Sequence, residues 1–104
     1  MIIICDEMKK FRELLDQHEI EWVDDSEALD TERYICRTHP KNHKRWSVIN
    51  EFGTYGGYLF DEKNEGLLEA MVDDKVIGRL NAEKAYMLVE AIEWIERANN
   101  GQKI

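Results

Sequence analysis

Near the start of the chain, apolar side chains recur at helical spacing at Met8, Phe11, Leu14 and Leu15, and His18 continues the stripe. This predicts a helix from about Glu7 to Gln17, with Asp6 as its N-cap and acids in its first turn. Ile20, Trp22 and Val23 make a short extended stretch, which Asp24, Asp25 and Ser26 end with turn chemistry. From Arg33 to Thr38, Tyr34 and Cys36 alternate with Ile35 and Arg37; further on, Trp46, Val48 and Asn50 alternate with Ser47 and Ile49. Period two predicts two strands, paired as a hairpin through a loop at His39 to Lys44, where Pro40 and Asn42 sit. Gly53, Gly56 and Gly57, with Phe52, Tyr55 and Tyr58 among them, predict a glycine-aromatic loop or a bulged strand. Leu67 to Val72 and Val76 to Leu80 read as a second hairpin turning at Asp73 and Asp74, with helix as the alternative for the first arm. Ala85, Leu88, Val89, Ile92 and Ile95 then follow a helical template between an Asn81 cap and the stop signal Asn99, Asn100, Gly101. The expected architecture is α+β: an N-terminal helix, an antiparallel sheet of about four to six short strands and a C-terminal helix, both helices on one sheet face.

At 104 residues the chain fits one domain spanning 1–104, and 43% hydrophobic residues are enough to build its core. Met1 to Cys5 is apolar but has no basic flank and runs at once into Asp6 and Glu7, so neither an export signal nor a membrane span is expected. Two cysteines, Cys5 and Cys36, are too few for a disulfide-stapled scaffold and suit a reducing cytoplasm. A net charge of −8 opposes binding to duplex nucleic acid and to anionic membranes.

That charge is unevenly spread. Residues 33–46 hold five bases and no acid, inside a chain whose first 32 residues hold 11 acids and three bases. The basic island of Arg33, Arg37, Lys41, Lys44 and Arg45 is one candidate site. Guanidinium forks and ammonium groups suit a phosphate, Trp46 and Tyr55 offer faces for a base to stack on, and Gly56 and Gly57 would let backbone approach a ligand. It is neither a P-loop nor a dinucleotide fingerprint, and the plainer reading is a hairpin loop that balances acidic neighbours. Cys36, His39 and His43 are metal-ligating types, but a fourth ligand is missing and Cys-x2-His-x3-His is not a finger spacing, so no metal or other cofactor is expected. The acid-rich run containing Asp24, Asp25 and Glu27 offers a negative surface to a partner, against the simpler reading of a solvated edge. Trp22, Trp46 and Trp94 are core residues first; Trp94 alone is weighed as an exposed anchor. No nucleophile elbow or marked acid–base pair appears, so an enzyme is not expected.

The runs Trp46-Ser47-Val48-Ile49-Asn50, Gly53-Thr54-Tyr55-Gly56-Gly57-Tyr58, Gly66-Leu67-Leu68-Glu69 and Ile77-Gly78-Arg79-Leu80-Asn81-Ala82-Glu83 resemble small phage and prophage proteins of gut Firmicutes, over most of the chain from Met8 onward. The resemblance implies a context, not residue roles. Short acidic proteins of that context often act by binding a host component. The expectation is a non-enzymatic, cytoplasmic binding protein that inhibits a host protein, including one of host defence, with Asp24, Asp25, Glu27 and Trp94 as partner-binding candidates. The alternative is a nucleotide-sequestering protein that uses Arg37, Lys41, Lys44, Arg45, Trp46, Tyr55, Gly56 and Gly57. A homodimer through the two-helix face stays open.

Overall fold

The computed structural model describes residues 4–30, 33–52 and 66–101. Its elements run α1 (Asp6–Gln17), β1 (Trp22–Asp24), β2 (Glu27–Ala28), β3 (Tyr34–Pro40), β4 (Trp46–Phe52), β5 (Leu68–Val72), β6 (Lys75–Leu80) and α2 (Ala82–Gly101). The sheet is antiparallel, in the order β1-β3-β4-β5-β6, and β2 continues the β1 edge along β3. The α+β architecture expected from the pattern is present.

Strand parity decides which side of the sheet the helices cover. Cys36, Thr38 and Pro40 on β3, Trp46, Val48 and Asn50 on β4, and Leu68 and Ala70 on β5 are buried. They meet Met8, Phe11 and Leu15 of α1 and Ala85, Tyr86, Val89 and Ile92 of α2 in one core. Phe11 stands edge-on to Trp46, with ring centroids 6.0 Å apart. The first arm of the second hairpin is a strand because Leu68 and Ala70 bury in alternation with Glu69 and Met71. The other sheet face carries Ile35, Arg37, Ser47, Ile49, Glu69 and Met71. There, burial first and then the neighbouring Glu51 push the Glu69 carboxyl above its usual range.

Several boundaries differ from the expectation. Cys5, not Asp6, occupies the N-cap of α1 and makes no side-chain cap; Asp6 is the first helical residue, where its charge faces the positive end of the helix. Glu7 instead reaches α2, accepting the Ala82 N–H at 2.9 Å, while the Asn81 side chain caps Lys84 N as predicted. β3 runs on to Pro40, because its ladder with β4 ends at Thr38 opposite Val48 and the missing proline N–H removes no rung there. On β6, the two residues between Ile77 and Leu80 face the single Glu69 between Ala70 and Leu68, so a bulge sits at Gly78 and Arg79, with Arg79 left-handed at φ 55°.

α1 ends in a Schellman motif. Ile20 N–H donates to Leu15 O at 2.9 Å and Glu19 N–H to Asp16 O at 3.1 Å, while Ile20 packs into the core beside Leu15. The left-handed position, usually glycine, is Glu19 at φ 58°, and its carboxylate sits at the negative end of the helix. Glu19→Gly is therefore expected to stabilise the fold by about 1 kcal/mol, read as a higher urea midpoint at unchanged slope. A lower midpoint would show that Glu19 makes a compensating contact.

Candidate functional site

The basic island does not form one surface. Arg33 holds Asp30 (2.7 Å), and Arg37, midway along β3, faces Asp25 and Glu27 at 3.5 and 3.9 Å. Lys41 faces Glu21 at 3.5 Å. Arg45, before β4, is forked onto Asp73 in the β5–β6 turn and also holds Glu96 of α2 at 3.1 Å. These bonds hold Asp73 below the usual carboxylate range and raise Arg45 further. Of the nominated bases, only Lys44 has no ion pair among the described residues. A phosphate would have to displace an intramolecular carboxylate at Arg37, Lys41 or Arg45. Trp46 is 2% exposed and offers no face for stacking. Tyr55, Gly56 and Gly57 lie outside the described residues.

The acidic surface is committed in the same way. Asp24 holds the buried Arg12 at 3.2 Å and accepts from both the Ser26 hydroxyl and the Ser26 N–H. Partial burial raises the Asp24 pKa, but these bonds outweigh it and leave the carboxyl below its usual range. Arg12 also donates to Thr38 Oγ1 at 2.8 Å and lies over Trp22, whose indole N–H donates to Asp16. Asp24 thus joins the first sheet edge to α1, while Asp25 lies 3.9 Å from His39.

Cys36, His39 and His43 do not converge. Cys36 lies on the covered face and His39, three residues on, on the open one. His43 sits in the β3–β4 loop with both ring nitrogens engaged: Nε2 is 2.9 Å from Glu93 Oε1, and Nδ1 accepts the Arg45 N–H. Those partners fix the neutral tautomer with the proton on Nε2. The Glu93–His43 pair resembles a base and its orienting acid, yet it has no ring nitrogen left to take a proton from a substrate. Burial pushes the Cys5 and Cys36 thiols up, away from thiolate character.

The helices leave a concave surface in which Trp94 is the one residue nominated from the sequence as a contact. A groove of about 570 Å³ lies between the end of α1 and the outer side of α2, lined by His18, Ile20, Tyr86, Met87, Trp94 and Ile95, with Glu90 at its edge. It exists because α2 carries two stripes. Ala82, Ala85, Tyr86, Val89 and Ile92 turn to the sheet, while Met87, Ala91, Trp94 and Ile95, at i, i+4, i+7 and i+8, turn away. Trp94 is 71% exposed and Met87 66%. His18 stacks on Tyr86 with centroids 4.8 Å apart and forms the opposite wall. The Tyr86 hydroxyl donates to Glu90 at 3.0 Å; burial first, and that bond second, push its pKa up to about 12. The outward stripe was visible in the sequence as a second i, i+4, i+7 set, hidden by the stronger inward one.

No helix among the described residues is long and apolar enough to cross a membrane. Comparison of the chain with models of protein families, with curated proteins and with solved structures finds no match.

Proposed function

We propose that this chain is a non-enzymatic binding domain that takes a protein partner into the groove between α1 and α2. Following its resemblance to phage and prophage proteins, the partner is a host protein whose action is blocked. The observation that carries this reading is Trp94, 71% exposed and one face of a helix away from any core role, beside the equally bare Met87. Burying the exposed part of one tryptophan contributes roughly 2–4 kcal/mol, and anchors of this kind dominate interface energies. The acids at Asp24, Asp25 and Glu27 rank second as a contact surface, since each already holds an arginine of its own chain. Nucleotide sequestration ranks below both, because three of the four bases it needs, Arg37, Lys41 and Arg45, are in ion pairs.

The test is a photo-crosslinking amino acid at position 87, with the chain expressed in host cells. The expected result is an adduct with one host protein that disappears when Trp94→Ala is added and does not form from a crosslinker at the exposed Lys9. Equal labelling from both positions, or an adduct indifferent to Trp94, rejects the groove as the binding surface.

A further inference from the structure

Resting on that reading, we infer that the groove selects a basic amphipathic helix, one that sets a large apolar side chain into the Trp94–Met87 cleft and a lysine or arginine against Glu90. The warrant is the charge around the cleft. It is continuous, through Ile20, Glu93 and Arg97, with two smaller concavities beside it. Together the three surfaces carry six carboxylates, Asp16, Glu19, Glu21, Glu90, Glu93 and Glu96, against two lining cations, Lys41 and Arg97, and the Arg45 that holds Glu96, which leaves an acidic excess of three.

Lys41 is taken up by Glu21. The bonds to Asp16 and Glu90 come from the neutral Trp22 indole and Tyr86 hydroxyl, so they orient those carboxylates without cancelling their charge. Glu90 is three residues after Met87 and four before Trp94, one turn from each apolar anchor. An occupant that satisfies all three needs an apolar group and a cation about one turn apart, which is the spacing of a helix face. Met87 to Trp94 spans roughly 10 Å of α2, so a partner helix of about three turns covers the cleft.

Charge also separates this occupant from the other two. A second copy would bring the same −8 and the same carboxylates against themselves, and an anionic bilayer would repel the chain.

The probe is a synthetic peptide of about five helical turns made of leucine and lysine at helical spacing, titrated into the 15N-labelled full chain. Two peptides serve for comparison: leucine and glutamate at the same spacing, and leucine and lysine in strict alternation. The expected result is that the helical lysine peptide shifts the amides of Met87, Ala91 and Ile95 and the Trp94 indole. Its affinity should fall roughly tenfold in Glu90→Lys and in Trp94→Ala, and within about twofold of unchanged in Asp74→Lys, a control for general charge. Equal binding of the glutamate peptide, shifts centred elsewhere, or equal effects of Glu90→Lys and Asp74→Lys overturn the inference. So does sedimentation of the free chain as a dimer that hides the Trp94 indole. If position 87 traps a host protein through an acidic or uncharged segment, this inference falls and the binding-domain reading stands. If the lysine peptide binds as expected but position 87 traps nothing, the reading falls and the chemistry of the cleft stands.

Discussion

Trp46→Ala is expected to cost about 3–5 kcal/mol, the range for emptying a large aromatic site in a core. Stability of a domain this size lies at about 5–15 kcal/mol, so the variant loses a large fraction of it. Three structural facts set the size of the effect. Trp46 is almost fully enclosed, its ring meets the edge of Phe11, and its indole N–H donates to Glu93 Oε1 at 3.1 Å. It therefore joins β4 to both helices. Urea unfolding followed by far-UV circular dichroism reads the loss directly. A decrease below about 1 kcal/mol would mean that the core relaxes around the void, contrary to the packing described.

Glu93 should rank second. One carboxylate oxygen takes both the Trp46 indole N–H and the His43 Nε2–H, and the His43 and Glu93 side chains are only 15% and 14% exposed. Glu93→Ala leaves two donors short of water and of a partner, at roughly 1–3 kcal/mol for a stranded buried group, and is expected to cost about 2–4 kcal/mol in total. Glu93→Gln keeps a carbonyl oxygen at that place and should lose less than half as much. The order matters more than either value: equal losses for alanine and glutamine would assign the effect to charge and not to the shared acceptor. Indole N–H resonances give an independent reading, since Trp46 should shift upfield in Glu93→Ala while Trp94 stays in place.

The architecture was legible because periodicity reports burial, and burial is what the sheet and helices share. Even-numbered residues of β3 and β4 face the helices as their alternation implies, and α2 buries one coherent stripe. Pairing across the chain was not legible. The basic run looked like a site because its neighbours in sequence are basic or neutral, yet its partners are Asp25, Glu21, Asp73 and Glu96, brought in from four other places by strand register and helix packing. Cys36, His39 and His43, close along the chain, end on opposite faces of a pleated strand and in a loop. β2 went unseen because two residues carry no period. Trp94 was visible as a residue but not as a surface, since its exposure depends on which stripe of α2 the sheet selects.

The two rims of the sheet are built differently, and the difference bears on how this molecule meets others. One rim is broken at Asp25 and Ser26, where the serine hydroxyl takes the Arg37 N–H in place of a strand neighbour. The other bends at the left-handed Arg79, with Lys75 at its start. Among the described residues, neither offers a long, straight strand edge of the kind that recruits a strand from a second chain. Both interruptions work against templated growth at high concentration and against recognition by main-chain zippering. Contact with another macromolecule falls to side chains, whose shape and charge can be specific in a way that a bare backbone ladder cannot.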